Sequence, residues 1–251
     1  MAKRHNITFD TEAQYNTFKA SADYVEPNVS YIKETNGVEY NPYVDPYNGH
    51  AYVEIGGLKW ATMNIGANSI TDTGLYFQWG DTQGYTASQC GSGEGKKYFG
   101  WVDYKYATNV QQYNADMTKY NSTDGKIELD DEDDVAQAFW GGSWRMPTND
   151  EVMTFKDSVN YAWTADYEGS GVAGLVLTSK ADSNKKLFFP ASGYCYNGSV
   201  NDVGRYGRYW SSSVNSSNVQ NAYSLYFNSS NVYWQNSSYR HDGFAVRGVV
   251  G

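Results

Sequence analysis

Apolar positions along this chain recur in short alternating runs broken by glycine, asparagine and serine, the period of half-buried strands rather than of long helices. The pattern predicts a strand at Ala51-Tyr52-Val53-Glu54-Ile55, after which Gly56-Gly57 turns into Leu58-Lys59-Trp60-Ala61. Further strands are expected at Leu75-Tyr76-Phe77-Gln78-Trp79-Gly80, Gly174-Leu175-Val176-Leu177-Thr178 and Lys186-Leu187-Phe188-Phe189-Pro190, the last two joined through the turn-forming Asp182-Ser183-Asn184. Residues 101–106 read either as a strand or as an aromatic-rich loop, and the stretch up to Gly125 has no usable period.

Helix signals are few. Thr148 and Glu151 have capping-box spacing, Asp150 adds first-turn charge, and Val152, Met153 and Phe155 share an apolar face, so a helix is expected over residues 149–158. Pro147 holds Met146 extended ahead of it. The acidic run at residues 130–134, followed by Val135, Ala138 and Phe139, fits the start of a second short helix, where carboxylates meet the positive dipole end. A calcium site is the alternative, although the spacing departs from that of an EF-hand.

Residues 1–50 differ from the rest. Asp10 or Thr11 can cap a short helix running to Lys19, Val29-Ser30-Tyr31-Ile32-Lys33 and Val38-Glu39-Tyr40 read as a hairpin turning at Asn36-Gly37, and a linker with Pro42 and Pro46 follows. This segment is either an attachment or oligomerisation arm, including a virion attachment, or a leader that packs on the main domain, residues 51–251.

Composition narrows the function classes. Aromatic residues make up 17% of the 251 residues and glycine is abundant, which favours a strand- and loop-rich fold. A net charge of −9 with scattered Lys and Arg argues against a nucleic-acid partner. No apolar run has the length of a membrane helix, and no apolar segment follows the basic N-terminal residues as a signal peptide requires. Cys90 and Cys195 are too few for a disulfide framework or a thiolate metal site, and a single bridge between them stays open. His5, His50 and His241 are dispersed, and phosphate-loop, dinucleotide, zinc-protease and nucleophile-elbow motifs are absent. The segment Gly91-Ser92-Gly93-Glu94-Gly95-Lys96 superficially resembles a phosphate loop but lacks the glycine spacing and the following Ser or Thr. No cofactor is implied.

Residues 194–242 are composed mainly of tyrosine, serine, asparagine and glycine, the mixture of antibody-type recognition loops. Trp210, Leu225, Phe227, Val232, Trp234, Phe244 and Val246 recur through and just beyond it as core anchors that a disordered polar tract lacks. In Tyr223-Ser224-Leu225-Tyr226-Phe227 the apolar Leu225 and Phe227 face the core, which puts Ser224 and Tyr226 on the opposite face, and the same contrast sets Tyr233 against Val232 and Trp234. Asp202, Arg205, Tyr206 and Arg208 sit among glycines in an expected loop, and a second loop is expected from Asn236 to Asp242. The candidate ligand-binding residues are therefore Tyr196, Asp202, Arg205, Tyr206, Arg208, Ser224, Tyr226, Tyr233, Asn236, Ser237, Ser238, Tyr239, His241 and Asp242.

Six motifs fall in a telling order: Glu54-Ile55-Gly56-Gly57-Leu58-Lys59-Trp60-Ala61, Tyr76-Phe77-Gln78-Trp79-Gly80, Trp140-Gly141-Gly142-Ser143-Trp144-Arg145-Met146-Pro147-Thr148, Phe189-Pro190-Ala191-Ser192-Gly193-Tyr194, Tyr209-Trp210-Ser211-Ser212-Ser213 and Gly243-Phe244-Ala245-Val246-Arg247. From residue 51 onward the chain resembles C-type-lectin-fold domains, above all the variable proteins of diversity-generating retroelements and the related paralogous domains of gut and rumen bacteria. The resemblance implies an α+β C-type-lectin-like fold with short strands, one or two helices and much irregular loop, and a C-terminal face that binds ligand without catalysis. It also implies diversification of asparagine codons across residues 194–242. Lys, Glu and Met, which mutation of the first two bases of an AAC codon cannot produce, do not occur from Tyr194 onward. The expected role is a phage tail or virion receptor-binding component that meets a protein or glycan ligand on a cell surface. The alternative is a fixed-specificity bacterial surface adhesin or glycan-binding module. Formylglycine-generating enzymes share the fold but depend on a C-terminal cysteine pair, and here only Cys195 lies in that region.

Overall fold

The structure is a computed structural model that describes residues 48–251 and three strands ahead of them; the helix expected after Asp10 and the linker prolines lie outside the described residues. The chain divides into two compact units, Met1–Ala51 and Tyr52–Gly251. In the first, β1 (Ile7–Phe9) pairs in parallel with β2 (Tyr31–Thr35), and β2 pairs antiparallel with β3 (Val38–Tyr40). Thr35 lies opposite Val38, so the expected strand pairing forms, while Asn36 and Gly37 between them lie outside the described residues.

The second unit is α+β, built from small antiparallel sheets, two short helices among the described residues, and long irregular connections. β4 (Tyr52–Ile55) and β5 (Leu58–Ala61) form a hairpin, and β16 (Val249–Val250) pairs along the other edge of β5. A two-stranded ladder, β6 (Ala107–Thr108) with β7 (Asp116–Met117), follows. Helix α1 (Val135–Trp140) starts where the acidic run ends, with the Asp134 carboxylate accepting from the amides of Ala136 and Gln137. Helix α2 (Asn149–Ser158) carries the capping box read from the sequence, and its Glu151 also pairs with Arg145 through both guanidinium nitrogens.

Strands β8 (Val159–Thr164), β9 (Gly174–Ser179) and β10 (Lys186–Pro190) make one sheet. Strands β13 (Gly207–Val214), β14 (Asn221–Phe227) and β15 (Val232–Tyr239) make the sheet that positions the site. One face of this sheet supplies Tyr209, Leu225, Phe227 and Trp234 to the main core, where they meet Val152 and Phe155 of α2, Trp60 of β5, and the leucines and Phe189 of β9 and β10. Trp60 stacks on Phe155 with ring centroids 4.0 Å apart. Gly207 permits this packing, because a Cβ there would sit 2.0 Å from the Phe227 ring.

The opposite face is also covered. The strand expected at residues 75–80 does not form a ladder: Tyr76 pairs singly with Tyr85 and Phe77 singly with Phe244, while the Trp79 amide donates to the Arg240 carbonyl. Each successive donor finds a different partner, so the segment is an extended clamp rather than a sheet member. The indoles fasten it in both directions, Trp79 Nε1 donating to the Ser211 carbonyl and Trp210 Nε1 to the Phe77 carbonyl. Residues 101–106 likewise form no strand, but a single helical turn at Trp101–Asp103 followed by loop.

Arg240 closes this second layer. It is fully buried, and its guanidinium donates to the Tyr104 hydroxyl and to the carbonyls of Lys119, Tyr120 and Val219, with its plane 4.6 Å from the Trp79 ring. Among the described residues no helix is long and apolar enough to cross a membrane. Replacing Arg240 by Lys keeps the charge but removes the planar fork of donors that reaches three carbonyls. Arg240→Lys is expected to lower unfolding free energy in urea by about 3 kcal/mol, the scale for a buried charge that loses its partners.

Candidate ligand-binding surface

The surface is built from a hairpin and the sheet beside it. β11 (Tyr194–Tyr196) and β12 (Ser199–Asn201) are joined by Asn197-Gly198, both with positive φ, the conformation that a two-residue hairpin turn requires. The turn is pinned to the neighbouring chain, with Asn197 and Gly198 amides donating to the carbonyls of Phe99 and Tyr98. Strand parity then sends Cys195 inward and Tyr194 and Tyr196 outward. Cys195 packs on Tyr76 and Phe99, with Cys90 against the same cluster; both are free thiols, not a disulfide. Burial pushes the Cys195 thiol well up, which disfavours its thiolate.

Arg208, Tyr226 and Tyr233 lie in one row across β13, β14 and β15. The Arg208 guanidinium lies 4.7 Å from the Tyr194 ring and 4.6 Å from the Tyr226 ring, and Tyr226 stacks on Tyr233 at 5.4 Å with planes 14° apart. Tyr206 meets Tyr226 edge-on, and the Asn228 amide donates to the Tyr226 hydroxyl. Asp202 pairs with Arg205 on the turn before β13, at 3.3 Å. Arg208 itself belongs to β13 and not to the loop expected there.

The outward face of β11 continues the row. From Tyr194 it passes to Tyr196, whose ring is nearly parallel to that of His241, as is the ring of Tyr239. Trp101 meets His241 edge-on at 4.4 Å and Tyr239 at 5.8 Å. These residues border a groove of about 650 Å³, completed by Tyr98, Tyr113 and a few amide side chains. His241 Nδ1 lies 3.1 Å from Asp242 Oδ1 but out of line, so both atoms are buried without a hydrogen bond. Burial raises the Asp242 carboxyl, against the lowering effect of His241 and Arg208.

Nine of the expected residues thus belong to one neighbourhood: Asp202, Arg205, Tyr206, Arg208, Tyr226 and Tyr233 at one end, and Tyr196, Tyr239 and His241 at the other, with Asp242 buried behind His241. Ser224, Asn236 and Ser238 do not join them. Ser224 faces away from Leu225 as expected, but that face lies under the second layer, so Ser224 is 1% exposed and its hydroxyl meets that of Ser238 at 3.2 Å, with the Asn236 amide donating to both. Ser237 accepts from the Asn215 and Asn221 amides instead of displaying a free hydroxyl. The loop expected from Asn236 is strand as far as Tyr239, because β15 resumes pairing with β14 after a register shift between Ser224 and Tyr226. Tyr194, Tyr98, Trp101 and Tyr113 were not among the expected residues; the Asn-Gly at residues 197–198 and the aromatic density of residues 98–113 were the available signals.

The acidic run has its own cation. Asp130, Glu132 and Asp133 offer carboxylate oxygens within 4.8 Å of one another, and Lys119 Nζ lies 2.7, 2.9 and 2.6 Å from them. An ammonium therefore holds the position that the calcium alternative would assign to a metal. Burial alone would raise the Asp133 carboxyl, but hydrogen bonds from Lys105, Lys119, Tyr106 and Tyr120 outweigh it and hold the group well below the usual carboxylate range. A depressed folded value contributes stability above the unfolded carboxyl value of about 4 and loses it as pH falls below that. Asp133→Asn should cost about 3 kcal/mol at neutral pH, with the gap to the parent closing as urea unfolding is repeated at progressively lower pH.

Comparison with known sequences and structures bears on the same half of the unit. No curated protein and no solved structure matches the chain. Residues 176–249, running from β9 to β16 and so containing most of the tyrosine row, are similar to a family described as a domain of unknown function, DUF8237.

Proposed function

We propose that the chain is a non-enzymatic binding protein of C-type-lectin-like fold, diversified by a retroelement, that serves as a phage tail or virion receptor-binding component. The observation that carries this reading is the row Tyr233, Tyr226, Arg208, Tyr194 and Tyr196, open to solvent in part yet set on paired strands whose inward neighbours are fully packed. Tyrosine presents a large stiff surface at low entropy cost, and strand pairing fixes the rings before a ligand arrives, so little ordering is left to oppose binding. Trp210, Leu225, Phe227, Trp234 and Phe244, each at most 6% exposed, carry the fold, while the solvent-facing positions between them are the ones open to exchange. The order of the six sequence motifs supports the lectin-like assignment.

One observation favours a fixed-specificity surface adhesin or glycan-binding module. Trp101, Tyr98 and Tyr113 border the groove from outside residues 194–242, so part of the surface has a composition that diversification of that stretch leaves constant. Sequencing the DNA beside the gene separates the two: a reverse transcriptase and a near-copy of the C-terminal coding repeat are expected, and their absence would overturn the diversified role.

Tyr226→Ala and Tyr233→Ala are expected to weaken binding to receptor-bearing cells by about 1–3 kcal/mol each, the range for an aromatic anchor, while the thermal midpoint moves little. An equal loss of thermal stability would make them core residues instead.

A further inference from the structure

The groove at the Trp101 end of the row has a chemistry that names a ligand class, on the footing of the binding role proposed above. Trp101 and Tyr113 reach it from residues 98–113, and Tyr196 and Tyr239 from β11 and β15. Tyr113, Tyr196 and Tyr239 are 71%, 37% and 42% exposed, so their rings have open surface to offer. The remaining polar side chains of the lining are neutral, chiefly the amides of Gln111, Gln112 and Asn197, and none of the described residues that border the groove is Asp, Glu, Lys or Arg. His241 also lines it, 4% exposed, with Nδ1 turned toward the Asp242 carboxylate at 3.1 Å.

Each absent charge removes a ligand class. A phosphate, sulfate or carboxylate would call for a guanidinium or ammonium in the lining. A cation would be drawn to aromatic faces, most strongly with a free carboxylate beside them, but Asp242 is buried behind His241 and the Asp103 carboxylate is taken up by the amides of Tyr98, Phe99 and Gly100. A pyranose ring answers what is left. Its face of C–H bonds, made electropositive by the attached oxygens, complements the negative face of an indole or phenol. Its hydroxyls both donate and accept, as side-chain amides do, and Gln112 uses only one donor on the Tyr113 hydroxyl.

We infer that this groove seats a neutral pyranose ring of a cell-surface glycan, stacked on the exposed rings of Tyr196 and Tyr239 over a floor that includes the buried Trp101, and held at its hydroxyls by Gln111, Gln112 and Asn197. The volume of about 650 Å³ is that of a small-molecule site and admits a ring with its substituents.

Saturation-transfer NMR on the full chain tests this with the methyl glycosides of glucose, galactose, mannose and N-acetylglucosamine, and with tetramethylammonium chloride as the cationic comparison. At least one glycoside should receive saturation at its ring C–H protons and bind more tightly than tetramethylammonium. Tyr196→Ala and Tyr239→Ala should each weaken it about tenfold, the scale of one lost aromatic contact. Tyr161→Ala, which removes an exposed tyrosine on β8, should leave it unchanged. The inference is overturned if no glycoside binds the folded protein, if tetramethylammonium binds more tightly, or if the groove variants bind as the parent does. Loss of receptor binding in Tyr226→Ala without any glycoside binding would sink this inference and keep the binding role; glycoside binding without a neighbouring retroelement would keep the groove and remove diversification.

Discussion

A buried guanidinium holds the display surface in place. Arg240 follows directly on β15 and precedes His241 and Asp242, so whatever fixes Arg240 fixes the end of the aromatic row. Its charge is met by carbonyl dipoles, a phenol oxygen and four aromatic faces, which spread the compensation over segments that have no ladder among themselves. The irregular chain around residues 104 and 119–120 is thereby tied to a strand end. Loop-rich folds need such ties, because isolated loop backbone has few other places to bond.

With that tie in place, the β13–β14–β15 sheet is packed on both faces and its tyrosines are displayed only where the upper cover stops. Ser224 and Tyr226 share a face of β14, yet one is covered and the other is not. The distinction between scaffold and display therefore follows the edge of a layer, not strand parity alone. Exposed positions beyond the cover tolerate exchange, since their side chains contact few atoms whose packing would need to readjust. The stacked pair Tyr226 and Tyr233 still gives that edge a rigid element, which loops of serine and asparagine would lack.

Local signals were legible wherever the chemistry was local. The capping box of α2, the acidic start of α1, the strands β9 and β10 and the inward anchors of β14 and β15 all follow from spacing within a few residues. Non-local features were not. Residues 75–80 have the composition of a strand, but their donors are answered by Tyr85, Phe244 and Arg240, two of them near the far end of the chain, whose approach no spacing reveals. The burial of Ser224 depends on the same cover. The walls of the groove were hidden for a different reason: residues 98–113 lack a period, so their aromatic side chains gave no direction until the chain around them was placed.

The position of β16 beside β5 has a topological consequence. The first hairpin of the second unit and its last strand share one sheet, with Val250 opposite Lys59, so everything from residue 62 to residue 248 is a closed excursion that leaves and returns at neighbouring points. Such an arrangement suits transplantation. The unit can be spliced into an exposed turn of a host protein, or circularly permuted through that sheet, with the tyrosine row carried intact.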